Sequence, residues 1–370
     1  MIRSALVRPD ARRVAAGLLL AVGLCALAAP SGAQASGAAP GTAGPDWFSL
    51  ALGVVGGLAL FLYGVTRLAD VLEEAAGEKV KAVLGRFTTN RLAAVGTGAV
   101  ATAVLDSSSV TIVMVIALVH AGLLTFAQSL GVVMGSNIGT TLSSLLFATD
   151  LDRYAPLLLA LGVGLQLLPV SGRAKTAGQI VLGLGLVFFG LNVVGTAVEP
   201  LRDHAPFVAF MASVGRNTLL GVAVGALATV VLQSSSATLG IVITLASQGI
   251  VSLPAGIALM LGAEIGTCVD TLLASIGRSR EAVRVGLFHL GFNATTAAVG
   301  VVFAAQLAAL GQAFGGSDVE KQIAVAQVAF NVLGVAAVLP FTGVVARALE
   351  RLVPARPVPG RPVPSRPAPA

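Results

Sequence analysis

Two short polar runs interrupt an otherwise apolar chain. "VLQSSSATLG" (Val231 to Gly240) sets Gln233, Ser234, Ser235 and Ser236 in a row, and "VLDSSSVTIV" (Val104 to Val113) sets Asp106, Ser107, Ser108 and Ser109 in the same pattern. Where a helix breaks at such a run, the first amides of the next helix are unpaired and carry the positive end of its dipole, which suits an oxyanion. Serine hydroxyls add donors that can also accept. Carbonyls freed at the end of the preceding helix, with the Gln233 side-chain oxygen, suit a hard cation such as Na⁺. A single serine of this kind would read as a small residue for close helix packing. Two matched triplets beside a glutamine or an aspartate read as a site.

A second motif pair follows each run at a fixed distance. "GSNIGTT" (135–141) and "GAEIGTC" (262–268) each begin 26 residues after the last serine of their run. In each, two glycines frame a polar residue, Asn137 or Glu264, and a threonine follows, Thr140 or Thr267, with Thr141 after the first. The glycines permit unwinding or close approach, and the polar groups could then face the serine run.

The elements that must position these residues are membrane helices. The chain has 370 residues, of which 56% are hydrophobic and only 11% charged, with a mean hydropathy of +0.91. Soluble domains carry about 25% charged residues. The deficit indicates a polytopic helical membrane protein, so the net charge of +6 is a matter of topology before it is a nucleic-acid signal. Apolar helical segments are predicted at 48–67, 92–120, 124–147, 154–171, 177–198, 218–247, 251–275, 282–308 and 322–347. The segments 92–120 and 218–247 hold the serine runs and are long for one span. Each is read as two short arms meeting at the serines, a re-entrant hairpin. Irregular backbone at membrane depth is tolerated only where it is buried in protein or lines a cavity. At the N-terminus, Arg3, Arg8, Arg12 and Arg13 precede "VAAGLLLAVGLCALAA" and the small-residue site "AQA", so residues 1–35 read as a secretory signal or an uncleaved first helix. At the other end, residues 353–370 form a Pro/Arg-rich tail, disordered and cytoplasmic in this reading. Two cysteines, Cys25 and Cys268, give no disulfide framework.

The chain also repeats itself. Residues 90–147 align with 217–274 at a constant offset of 127, without a gap and with 23 identities in 58 positions, among them Asn90/Asn217, Gly98/Gly225, Thr111/Thr238, Gly122/Gly249 and Gly135/Gly262. Upstream, "LFLYG" (60–64) echoes "LVFFG" (186–190) after one gap. An odd number of full spans, 48–67, 124–147 and 154–171, separates the two starts, so the second unit is inverted. The expected fold is all-α and polytopic, with two inverted repeats (48–171 and 177–308), each holding a re-entrant hairpin and a broken helix, and a final span at 322–347. Loops assigned inside in this topology carry 15 Lys and Arg against 4 outside, in line with the positive-inside rule. Inverted repeats with broken helices build secondary transporters, with the site at the repeat interface.

The QSSS run with a downstream GSNIGTT, duplicated in inverted units, resembles the type II sodium–phosphate cotransporter family. "HLGFN" (His289 to Asn293) resembles that family's downstream H-x-x-F-N feature, and "QVAFN" (327–331) echoes it. The resemblance covers about residues 48–345. It implies Na⁺-coupled symport of inorganic phosphate across the plasma membrane, with no enzymatic step, no cofactor and no nucleic-acid partner. Ser107, Ser108, Ser109, Ser234, Ser235 and Ser236 are then expected to hold phosphate. Gln233, Asn137, Thr140, Thr141 and Thr267, together with Asp106, Glu264 and Asp270, are expected to serve Na⁺. Three residues depart from the family pattern: Asp106 where it has glutamine, Glu264 where it has asparagine, and Asp270 opposite Ser143.

Those carboxylates cost about 2.5–3.5 kcal/mol each at the centre of a membrane helix, which usually marks a pathway. Three roles are open to them: Na⁺ ligands of higher field strength, carriers of a coupled proton, or residues of a watered vestibule paired with Arg67, Arg284 or His289. Negative charge beside phosphate repels it unless a cation intervenes, which favours the first. His289 reads as a packed or capping residue, and His120 and His204 as loop or interface residues. A hydrolase would need a base beside serine or two catalytic aspartates, and a primary pump a P-loop; the sequence presents neither pattern. A phosphate exporter, or a carrier of another small oxyanion, is the alternative.

Overall fold

The computed structural model describes residues 45–88, 90–168 and 171–354. The expected leader and residues 355–370 of the tail lie outside the described residues. The described chain is helical throughout, with no strand. In order the helices are α1 (Trp47–Arg86), α2 (Arg91–Leu105), α3 (Ser108–His120), α4 (Phe126–Phe147), α5 (Ala155–Leu167), α6 (Gly172–Val198), α7 (Ala205–Arg216), α8 (Thr218–Leu232), α9 (Ser235–Ser247), α10 (Leu253–Gly266), α11 (Cys268–Ser275), α12 (Arg280–Val302), α13 (Ala304–Gly315), α14 (Val319–Val338) and α15 (Thr342–Leu352). Six stretches among the described residues are long and apolar enough to cross a membrane, or seven if α7 and α8, bent by 107°, count as one. The protein is an all-α polytopic membrane protein.

The serine runs break their helices as the composition required, and the chain folds back at each. Thr102 and Thr111 are nine residues apart, which in a continuous helix would separate them by about 13 Å. Their hydroxyls instead meet at 3.0 Å. Thr229 and Thr238 meet at 2.8 Å in the same way. α2 and α3 are therefore the arms of one hairpin, and α8 and α9 those of the other.

Several repeat identities acquire a mechanical role. Asn90 and Asn217 cap α2 and α8, accepting from the amides of Ala93 and Leu220 at 2.8 and 3.2 Å. Gly122 and Gly249 end the second arms at φ of 72° and 71°, where a side chain would be strained. Gly98 on α2 and Gly135 on α4 bring those two helices into backbone contact, and Gly225 and Gly262 do the same for α8 and α10. A Cβ at Gly225 would lie 2.1 Å from the Leu259 carbonyl oxygen, with backbone rather than a flexible side chain in the way. Gly225→Ala is expected to destabilise the fold by about 1–3 kcal/mol, the range for overpacking. Gly96→Ala, with open space around it, should not. Melting temperatures of the two purified variants test this; equal values would refute the close-approach account.

The observed elements differ from the expected segments in instructive ways. α1 runs 19 residues beyond Arg67, to Arg86, because "LADVLEEAAGEKVKAVLGR" is rich in strong helix formers and holds no proline. Asp46 starts it: the Ser49 hydroxyl at 2.6 Å and the amides of Ser49 and Phe48 hold the Asp46 carboxyl below its ordinary value. Within the segment expected at 154–171, the described residues form an α-helix over Ala155–Leu167, a rise of about 20 Å. The 282–308 segment breaks at Phe303 into α12 and α13, and the 322–347 segment breaks at Pro340, where a short 3₁₀ turn joins α14 to α15. α4 passes unbroken through Gly135–Thr141, so in the first unit the glycines serve close approach and not unwinding. Only the second unit breaks there, at Thr267 between α10 and α11.

α1 and α6, which carry "LFLYG" and "LVFFG", cross at their glycines: a Cβ at Gly57 would lie 2.9 Å from the Gly190 carbonyl oxygen and one at Gly64 3.0 Å from that of Gly183. One apolar core surrounds α2 to α4 with α12 and α15, a second surrounds α8 to α10 with α13 and α14, and a small cluster of Phe61, Val187, Leu191 and Ala237 borders the second through Phe147 and Ile241.

Candidate functional site

Both hairpin tips have the same unusual backbone. Asp106 ends α2 and Gln233 ends α8 in the left-handed region, at φ of 51° and 55°, and no other non-glycine residue among the described ones has positive φ. A side chain there costs about 1–2 kcal/mol. The next residue in each tip caps the second arm: Ser107 Oγ accepts from the Val110 amide at 3.2 Å, and Ser234 Oγ from Ala237 at 3.1 Å. The first-turn amides of Ser108 and Ser109, and of Ser235 and Ser236, have no carbonyl of their own helix to bond. Each tip thus presents free amides, hydroxyls and the positive end of a 13-residue helix.

The two tips line one cavity of about 470 Å³, a volume typical of small-ligand sites. All six serines, Asp106 and Gln233 lie in its wall, with Thr267 and Asp270 from the break between α10 and α11. The expected residues Asn137, Thr140, Thr141 and Glu264 are not in that wall; they are buried elsewhere. Thr140 and Thr141 donate to carbonyls of their own helix, those of Ser136 and Ile138. Asn137 Nδ2 donates to Asn293 Oδ1 at 2.5 Å. Glu264 accepts from Gln327 and Asn331.

Four carboxylates line the cavity, those of Asp70, Glu73, Asp106 and Asp270, and the lining holds no lysine or arginine. The pairings considered for the carboxylates are not formed by Arg284, which bonds the Val353 carbonyl at 2.8 Å and sits 3.8 Å from Glu281. Nor are they formed by His289, buried against Thr271 and Asn293. Asp106 instead accepts a short hydrogen bond from Ser143. This joins two of the sequence's departures. Position 106 corresponds to 233, and 143 to 270, so the first unit pairs a tip carboxylate with a serine, while the second has the carboxylate at the partner position and an amide at the tip. At this pair of positions each unit delivers one carboxylate to the cavity.

Sequence reasoning missed the α1 contribution. Thr66, Asp70 and Glu73 share a helix face at i, i+4 and i+7 and form one side of the cavity; the signal was that polar spacing on a helix that begins apolar. On the other side of the tips, Phe147 packs edge-on to Phe61 and Phe188, with centroids at 6.5 and 6.2 Å. Beyond the rings lies a second pocket of about 100 Å³, walled by Asp150, Asn192, Thr244, Gln248 and Glu320 among others.

The sequence model of the Na⁺/Pi-cotransporter family matches residues 60–196 and 203–316, more than half of the chain. The chain belongs to the Na⁺/Pi-cotransporter family. This is a family of phosphate transporters and not of enzymes, and phosphate transport is the activity it supports. Among similar proteins, "Uncharacterized protein YqeW" of Bacillus subtilis strain 168 is 28% identical over 81% of this chain and 97% of its own length. "Putative inorganic phosphate export protein YjbB" of Escherichia coli O157:H7 is 28% identical over 83% of this chain and 56% of its own. The chain therefore spans nearly all of the first and about half of the second. "Sodium-dependent phosphate transport protein 2B" of Homo sapiens is 30% identical over 27% of this chain and 15% of its own. No solved structure matches the chain.

Proposed function

We propose that this protein carries inorganic phosphate together with Na⁺ across the plasma membrane by alternating access, through the cavity between the two serine tips. The observation that carries the reading is the lining: two helix N-termini and six serines suited to an oxyanion, beside four carboxylates and no basic side chain. Like charges in a poorly hydrated site repel strongly, so an anion enters such a cavity only with cations. The serines and first-turn amides hold phosphate in this reading, and Asp106, Gln233, Thr267 and Asp270 hold Na⁺. The two units are inverted relative to each other, as their charge distribution supports. The cavity extends along α1 toward Lys79, Lys81 and Arg86, and along α11 toward Arg278 and Arg280. By the positive-inside rule this is its cytoplasmic side, and the described conformation is then inward-facing. In this topology the C-terminus is cytoplasmic.

Uptake of radiolabelled phosphate into proteoliposomes tests the coupling. An inward Na⁺ gradient should raise the initial rate at least about tenfold over an equal K⁺ gradient; equal rates would sink the Na⁺ reading and leave phosphate transport standing. Export is the second reading, favoured by the name of the YjbB relative and by a cavity that opens on the basic side. Phosphate-loaded vesicles of known orientation distinguish the two directions.

A further inference from the structure

Away from the cavity, Glu264 sits in a second polar site. It is 3% exposed on α10, and its Oε1 accepts from Gln327 Nε2 at 3.2 Å and Asn331 Nδ2 at 3.1 Å. The two amides lie one helical turn apart on α14, in "QVAFN", and are themselves buried. No ion pair among the described residues involves Glu264. An ionised carboxylate without a compensating cation is costly in such surroundings. A second observation is independent of that charge. The other end of the same amide, Gln327 Oε1, is buried with no hydrogen-bond partner, a loss native structures rarely leave unexplained.

We propose that Glu264, Gln327 and Asn331 form a buried cation site that takes Na⁺, separate from the serine cavity. The ligands are hard oxygens of a carboxylate and two amides, which suit such an ion. One positive charge neutralises one carboxylate, whereas a divalent ion would leave a net charge in the protein interior. The geometry permits it. Turning the Gln327 amide by half a revolution moves its unpartnered Oε1 to where Nε2 stands, 3.2 Å from Glu264 Oε1, and puts Nε2 in the place that oxygen leaves. Two oxygens at that separation both reach an ion of calcium-like radius at about 2.4 Å, subtending about 85°, close to an octahedral angle. The Asn331 amide can turn at 3.1 Å as well, giving up the bond its Nδ2 also donates to the Gln327 carbonyl at 3.1 Å. In the empty site the two amides donate to the carboxylate; in the filled site they turn and give their oxygens to the ion. The first unit has no such site, because Asn137 stands at the equivalent position and bonds to Asn293. Glu264 lies three residues before Thr267, where α10 ends, so the bound ion would brace the helix end that reaches the cavity. The proposal stands independently of how the serine cavity is used.

Equilibrium binding of ²²Na⁺ to the full-length protein in detergent, without phosphate, tests it. Glu264→Gln and Gln327→Leu should each weaken one bound Na⁺ at least about tenfold. The Asp106→Asn, Asp270→Asn double variant, which leaves this site intact, should keep that ion. Unchanged number and affinity in both Glu264→Gln and Gln327→Leu would overturn the proposal and leave Glu264 holding a proton. Should Glu264→Gln fail to fold, Gln327→Leu, which preserves the charge, and the double variant still decide: loss of all Na⁺ binding in the double variant would also overturn it. Absence of Na⁺-stimulated phosphate uptake, with this binding intact, would count against the coupling reading alone.

Discussion

Asp106→Gln alone is expected to raise the Na⁺ half-saturation of phosphate uptake at least about tenfold, equivalent to about 1.4 kcal/mol, and adding Ser143→Asp is expected to restore most of it. The basis is the hydrogen bond from Ser143 to Asp106 and the exchange of residue types between the units. Asp106 and Ser143 in the first unit stand at the positions of Gln233 and Asp270 in the second. The double variant therefore rebuilds, in the first unit, the residue pair the second already uses. The single variant removes the tip carboxylate while leaving the left-handed backbone intact, since Gln233 occupies the same conformation. Na⁺ activation curves for wild type, single and double variants in proteoliposomes measure the coupling directly. A double variant no better than the single one would show that the position of the carboxylate matters, and not its presence in the pair.

That exchange marks the boundary of what was legible in the sequence. Asp106 and Asp270 each stood out as departures from a repeat, but their connection through Ser143 spans 37 residues and is made by the packing of α2 against α4. The hairpins were legible because a row of hydroxyls cannot continue an apolar span without a site. The repeat identities were legible as identities; their roles as caps, left-handed turns and helix crossings required the partner helix. The glycines of "GSNIGTT" and "GAEIGTC" show the limit most clearly. Lacking a Cβ both loosens a helix and lets a neighbour approach, and the pattern alone cannot choose. The first unit uses only the approach, while the second adds a break at Thr267, beside the cavity. Asn137 and Glu264 were expected to face the tips, yet side chains of α12 and α14 capture both. "HLGFN" and "QVAFN" were visible as motifs, but the bonds by which Asn293, Gln327 and Asn331 hold Asn137 and the Glu264 carboxylate span 63 to 156 residues.

Removing the Phe147 ring is expected to open the serine cavity to the second face of the membrane. α9 begins in the cavity at Ser235, passes the aromatic rings at Ala237 and Gly240, and reaches the second pocket at Thr244 and Gln248. Ser236 and Thr244 are eight residues apart, about 12 Å along the helix. The barrier between two polar compartments is thus about two turns thick. Its substance is Phe147 wedged between Phe61 and Phe188, resting on the bare face of α9, where a Cβ at Gly240 would stand 3.3 Å from both Phe147 and Phe61. The proposed alternating access would require these rings to part while the cavity closes at its other end. The test uses a background with Cys25→Ala and Cys268→Thr, the latter matching Thr141 at the equivalent position of the first unit, and Ser235→Cys as reporter. A membrane-impermeant thiol reagent, applied without substrate, should label the reporter from one face only, and in the Phe147→Ala variant from both. Phosphate flux in that variant should lose its dependence on Na⁺, because a site open to both faces cannot couple two gradients. Phe147 is partly buried, so its truncation costs less than the about 3–5 kcal/mol of a fully buried phenylalanine; Phe147→Leu serves as the filled control and should keep one-sided labelling. One-sided labelling in a folded Phe147→Ala protein would mean that the barrier lies elsewhere along α9.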